Sequence, residues 1–179
     1  MFAFESLPLT GAALITLPAF ADNRGSFVKT FQDSFFRQGD IGFELKESYF
    51  SVSHKDVIRG MHFQLPPHDH AKIVFCPHGA ILDVLVDLRR QSPTYGQYFA
   101  AELSAANHQA FYIPPGFAHG FKTLENDTIT YYLVSSEHSR DHDAGIMYDS
   151  FGMDWACAAP VMSARDQEFP PLSAFDSPF

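Results

Sequence analysis

Three short segments concentrate groups that can exchange protons near neutral pH. They are Arg59-Gly60-Met61-His62-Phe63-Gln64, His68-Asp69-His70-Ala71-Lys72 and Ile113-Pro114-Pro115-Gly116-Phe117-Ala118-His119-Gly120-Phe121. Each sets an imidazole or an ammonium beside glycine or proline and among apolar or aromatic neighbours. An imidazole held partly out of water there has a pKa near working pH, which suits general acid–base work. Nine histidines scattered over a β domain, several simply hydrogen-bonded or exposed, would give a similar pattern, and spacing alone leaves both readings open.

The elements that must carry these groups read as strands. In 80–88, Leu82, Val84, Val86 and Leu88 share one face, with Asp83 and Asp87 on the other. In 128–134, Thr128, Thr130, Tyr132 and Val134 oppose Ile129, Tyr131 and Leu133. Turn clusters at Pro66-Pro67, His78-Gly79, Ser92-Pro93, Pro114-Pro115-Gly116 and Glu125-Asn126-Asp127 punctuate such runs. One short helix is expected over 31–38, ended by Gly39. Short strands without alternating helices predict an all-β sandwich or barrel, and 179 residues suit one domain, 1–179. In an ideal strand Arg59 and His62 point to opposite faces, so both can serve one site only if Gly60 permits a bulge or the arginine reaches around the edge.

Composition narrows the function classes. The formal net charge is −9, from 12 basic and 21 acidic residues, and no basic run is present for a nucleic-acid groove. An anionic ligand must be held by scattered cations, of which Arg24, Lys29, Arg59, Lys72 and Arg165 are the candidates. Cys76 and Cys157 give no disulfide framework and read as reduced, buried apolar residues. The apolar stretch 9–20 lacks a basic leader and contains Pro18, and no stretch reaches the length of a membrane span, so a soluble, cytoplasmic protein is expected.

At these residues the chain resembles the dTDP-4-dehydrorhamnose 3,5-epimerase family, whose members act on 4-keto-6-deoxy sugar nucleotides. The resemblance runs from Asp22-Asn23-Arg24-Gly25 to Ser163-Ala164-Arg165-Asp166. Besides the first and third segments above, it takes in Asp83-Val84-Leu85-Val86-Asp87-Leu88-Arg89 and Ser92-Pro93-Thr94-Tyr95-Gly96. It implies a cupin-like jelly roll, usually a homodimer, that binds a nucleotide-diphosphate sugar and needs neither cofactor nor metal. A hydrogen on carbon beside a ketone is acidic because its removal leaves an enolate. Inverting that carbon takes a base on one face, an acid on the other and positive groups at the enolate oxygen. The resemblance implies His62 as base, Asp166 as the carboxylate orienting it, Tyr132 as proton donor and Lys72 near the ketone oxygen. It implies Arg59 and Arg24 on the diphosphate, with His119 and Arg165 also binding substrate. Without it, Tyr132 would read as a packed core aromatic like Tyr131.

Five positions depart from the family pattern: His138 replaces an aromatic residue, Glu47 and Tyr49 replace Gln and Asn, Lys29 replaces Glu, and His70 replaces Gln. Glu47, Tyr49, His138 and Lys29 are thus candidate substrate contacts on the nucleotide side, where thymidine, cytidine and guanosine carriers all stay open. A metal-dependent cupin enzyme is the competing reading, with His68 and His70 as an HxH pair and His119 as a later ligand, although the usual following Glu is absent. A catalytically silent sugar-binding cupin is the non-enzyme alternative, against which stands the set His62, Tyr132 and Asp166.

Overall fold

The computed structural model describes residues 1–38 and 41–179. In chain order its elements are β1 (Ala3–Ser6), β2 (Ala13–Thr16), β3 (Ala19–Asp22), β4 (Gly25–Val28), α1 (Asp33–Gln38), β5 (Glu47–Ser53), β6 (Ile58–Gln64), β7 (Lys72–His78) and β8 (Ala80–Asp87). There follow β9 (Tyr98–Ser104), β10 (Gln109–Ile113), β11 (Phe117–Thr123), β12 (Thr128–Val134), β13 (Asp143–Gly145), α2 (Ala164–Gln167) and a 3-10 turn, Leu172–Ala174. The expected helix is α1, starting two residues later than anticipated; its expected terminator, Gly39, lies outside the described residues.

Among the described residues the strands form a six-stranded sheet in the order β1-β2-β10-β7-β12-β5, a five-stranded sheet in the order β13-β6-β11-β8-β9, and the separate hairpin β3-β4. All named strand pairings are antiparallel. The architecture is an all-β, cupin-like jelly roll. Val74, Ile81, Leu85, Phe111, Phe117 and Phe121 form a core cluster that draws on both large sheets. A second cluster joins Ile15, Ile73 and Leu133 of the six-stranded sheet to Phe36 of α1. A third joins Val84, Val86 and Ala118 of the five-stranded sheet to Ile146 and Trp155 of the C-terminal segment. Sheets covered on both faces explain why β11 is buried along its whole length and β7 from Lys72 to Cys76. The apolar stretch 9–20 supplies Leu9, Ala12, Ala13, Ile15 and Leu17 to this interior.

The alternation predicted for β8 is present, but its polar face is not a solvent face. Asp83 and Asp87 are both fully buried, because Ile81 and Leu85 on that side also enter the core. Asp83 bonds His119 through one oxygen, and its other oxygen is buried with no partner among the described residues. Asp87 accepts from the Arg89 backbone and guanidinium and from the Ser92 and Thr94 hydroxyls, so the Ser92-Pro93-Thr94 turn is a cap on the end of β8. Burial raises the Asp87 pKa, but those hydrogen bonds outweigh it and hold the carboxyl low. Cys76 is buried as expected, whereas Cys157 is only half-buried, because it lies in the irregular covering segment and not in a sheet.

Of the two arrangements open for Arg59 and His62, the bulge at Gly60 is present. His62 pairs with His119 and Arg59 with Phe121, so three steps along β6 match two along β11. Gly60 has φ +140, and a Cβ there would lie 2.6 Å from Cα of Gly120. Only glycine combines that backbone with that approach. Gly60→Ala is therefore expected to destabilise the fold by about 1–3 kcal/mol, read as a lowered denaturation midpoint. An unchanged midpoint would mean that the bulge is not a constraint on the chain.

Candidate active site

A cavity of about 380 Å³ opens between the two large sheets, within the range of small-molecule sites. From the five-stranded sheet Arg59, His62, Phe63 and Gln64 of β6 and His119 of β11 face it. From the six-stranded sheet come Glu47, Tyr49 and Ser51 of β5, Lys72 of β7, and Tyr132 and Val134 of β12. His70, His138, Asp143 and Arg165 complete the lining. The bulge turns Arg59 and His62 to one side, and Arg59 Nε donates to Ser53 Oγ at 3.0 Å.

His62 is held from behind. Its Nε2 lies 2.9 Å from Asp166 Oδ1, and the second carboxylate oxygen accepts from the Gly60 amide at 3.2 Å. Asp166 is buried in α2, whose N-cap Ser163 accepts from the Asp166 amide. Burial would raise the Asp166 pKa, but His62, Gly60 and Ser163 together lower it. A carboxylate accepting from Nε2–H leaves Nδ1 as the basic nitrogen of His62. The edge of the His62 ring meets Phe169, which sits over Gly145, the strand partner of His62; a Cβ on Gly145 would strike that ring.

Lys72 is almost wholly buried and donates to the His62 carbonyl at 3.2 Å. Burial lowers its pKa to about 8, with Asp143 and Asp83 opposing. His119 and Asp83 form a buried pair at 2.7 Å; burial pulls the imidazole down and the carboxyl up, toward a neutral pair. Tyr132 is buried, stacked on Tyr49 and in T-shaped contact with His119, and burial, then the charges of Asp83 and Tyr49, push its phenol well above the ordinary range. Its neighbour Tyr131 points to the other face and stacks on Phe75 and Phe50.

At the mouth, Glu47 accepts from the His138 amide at 2.8 Å, and Arg165 pairs with Asp143 at 2.8 Å. Gln64 ties the β6–β7 and β12–β13 loops together by donating to the carbonyl of His68 and the hydroxyl of Ser136 and accepting from the Ser139 amide. His70 Nδ1 bonds Ser136, and burial, then Lys72, lower its pKa to about 3, so it is neutral. His70 Nε2 and Ser51 Oγ are buried with no partner among the described residues.

Arg24 and Lys29 do not line this cavity. Arg24 sits on the exposed β3-β4 hairpin, paired with Asp22, and Lys29 donates to Gln32 just beyond it. Sequence reasoning missed Asp83, Asp143, Ser51 and Gln64. Asp83 and Gln64 stood inside the matched motifs, but nothing in their type marked them as interior. The residues proposed as metal ligands do not converge: among the described residues no three His, Cys, Asp or Glu side chains form such a cluster. His68 instead lies against His142, with ring centroids 4.3 Å apart and the planes tilted by 42°.

Comparison with known proteins identifies the family. The family model for dTDP-4-dehydrorhamnose 3,5-epimerase matches residues 6–174. The dTDP-4-dehydrorhamnose 3,5-epimerase of Sinorhizobium fredii is 39% identical, over 94% of this chain and 89% of its own. The crystal structure of the enzyme of that name from Sulfolobus tokodaii is 41% identical with a TM-score of 0.91, covering 97% of this chain and 96% of that one. The one from Bacillus anthracis, with TDP and PPi bound, is 34% identical with a TM-score of 0.92, covering 95% and 99%. The chain belongs to the dTDP-4-dehydrorhamnose 3,5-epimerase family and is a sugar-nucleotide epimerase.

Proposed function

We propose that residues 1–179 form one cytoplasmic epimerase domain, active as a homodimer without cofactor, that inverts C3 and/or C5 of a nucleotide-linked 4-keto-6-deoxy sugar through an enolate. The observation that carries this reading is that His62 and Tyr132 line one cavity from different sheets. In the proposed step Nδ1 of His62 takes the proton beside the ketone, and the C–H electron pair moves into an enolate whose oxygen carries the charge. Lys72 stabilises that oxygen. The enolate carbon then takes the Tyr132 hydroxyl proton on the opposite face, leaving a phenolate and a protonated His62. Solvent resets both. Asp166 keeps the histidine in the tautomer this needs. Arg59 is suited to the diphosphate, having no carboxylate partner among the described residues, and Arg165 and Asp143 meet the nucleotide side.

Arg24 and Lys29 enter this scheme through the dimer. Neither lines the cavity of its own chain, so contact with substrate requires the cavity of a second copy. The same hairpin exposes Phe20 and Phe27, at 59% and 63%, and β5 exposes Phe50 and Val52, at 58% and 53%. Apolar surface of that extent supports burial against a partner.

The base and acid are tested by deuterium exchange in D2O, starting with a dTDP-linked 4-keto-6-deoxyhexose and continuing with CDP- and GDP-linked forms. His62→Ala is expected to lose wash-in beside the ketone by about 10²–10⁴-fold while still binding nucleotide. Full exchange in that variant would assign the base elsewhere. Tyr132→Phe is expected to spare proton removal more than inversion, and equal loss of both, with the fold verified, would remove it as donor. Product NMR reads which carbons invert.

A second prediction concerns pH. Lys72 must be protonated to stabilise the enolate, so kcat/KM is expected to fall as pH rises through about 8, well before the Tyr132 phenol ionises. A profile flat beyond that point would show that the Lys72 charge is not used. A third tests the dimer. Mixing and reassociating Arg24→Ala and His62→Ala chains is expected to restore about a quarter of the wild-type rate per chain, because each mixed dimer then holds one complete cavity. No recovery would place Arg24 in its own chain's site or outside the chemistry.

A further inference from the structure

We infer that Tyr49 is a positioning residue for Tyr132: its ring covers the outer side of the phenol and fixes the plane in which that phenol meets substrate. The inference rests on the epimerase reading and assigns Tyr49 a role at the reacting centre instead of on the nucleotide. Tyr49 and Tyr132 are directly opposite in the β5–β12 pairing, and their rings stack with centroids 4.8 Å apart at 23°. Tyr132 also makes a T-shaped contact with the His119 ring, at 5.8 Å and 74°. A tyrosine ring held by one stacked and one T-shaped neighbour cannot turn about its own axis without disturbing at least one contact.

The division of exposure shows which ring serves the other. Tyr132 is 8% exposed and Tyr49 41%, on a strand at the edge of its sheet. Tyr49 therefore stands between the phenol and water. Its removal would hydrate Tyr132, free its ring and let its proton leave at lower pH. A proton donor is effective only when held within hydrogen-bond reach of its acceptor, so a loosened ring reduces delivery without touching proton removal by His62. The stacking face, not the Tyr49 hydroxyl, supplies this, which predicts that phenylalanine is an adequate replacement.

The test compares wild type, Tyr49→Ala and Tyr49→Phe in D2O with a dTDP-linked 4-keto-6-deoxyhexose, reading inverted product per deuterium washed in beside the ketone. Tyr49→Ala is expected to lower that ratio by about two- to tenfold, the range of one aromatic pair, with Tyr49→Phe near wild type. An unchanged ratio in Tyr49→Ala overturns the inference, and so does a Tyr49→Phe variant as impaired as Tyr49→Ala. A wild type that washes in no deuterium overturns the epimerase reading instead. Alkaline phenolate absorbance, taken as the difference between each chain and its Tyr132→Phe counterpart, then judges the shielding without substrate. The Tyr132 step is expected at lower pH in Tyr49→Ala than in wild type or Tyr49→Phe, and an unmoved step overturns the inference.

Discussion

A single buried carboxylate holds the site together. Asp166 accepts from His62 with one oxygen and from the Gly60 amide with the other. The first bond orients the imidazole. The second satisfies a backbone donor that the bulge removes from the regular ladder, where an unpaired buried amide would cost about 1–3 kcal/mol. Without the bulge, Arg59 and His62 would face opposite ways. The carboxylate comes from α2, far along the chain, so docking of the C-terminal segment and assembly of the site are one event. That segment also covers the outer face of the five-stranded sheet through Ile146 and Trp155.

The charge distribution around the cavity reconciles a chain of net charge −9 with an anionic ligand. Three cations line it, and their partners differ. Arg165 is shared with Asp143, Arg59 meets only the neutral Ser53 hydroxyl, and Lys72 donates to a carbonyl. Among the described residues the two inner cations thus have no carboxylate in direct contact, and their charge is available to a ligand. Burial makes a lysine charge costly, and the depressed Lys72 pKa expresses that cost. A negative group entering beside it relieves the same penalty, so the strain on the ammonium favours the charge that enolate formation would create.

Much of this was legible in the residues. Period-two alternation separated Tyr132 from Tyr131 before any coordinates, and the two do lie on opposite faces of β12. The clash between a regular strand and a shared site at Arg59 and His62 called for a bulge at Gly60 or an arginine reaching around the edge, and the structure has the bulge. Burial was less legible. Asp83 and Asp87 alternate with aliphatics as solvent-facing residues would, and only the cover on both faces of the five-stranded sheet places them inside. Register was not legible at all. Tyr49 looked like a nucleotide-side substitution because nothing local says that β5 pairs with β12 so that residue 49 falls opposite residue 132. Arg24 and Lys29 show a different limit, since a motif names a residue without saying where the fold puts it, and neither lines the cavity of this chain.

The two walls differ in their access to water, and that difference suits the proposed division of labour. The His62 side chain is 31% exposed, whereas Tyr132 is 8% exposed beneath Tyr49. A base that must discharge a carbon-derived proton after each event benefits from contact with solvent. An acid that must keep its proton until a carbanion forms benefits from shelter, because a desolvated phenol resists ionisation. Opposite hydration across a cavity of this size also makes the enolate asymmetric in its surroundings. In the proposed mechanism, return of a proton from the histidine side would draw on a pool that exchanges with water, while delivery from the tyrosine side would draw on one protected hydroxyl. Retention and inversion would then compete through different proton reservoirs, and the inferred role of the stack over Tyr132 is to set how well the second of them competes.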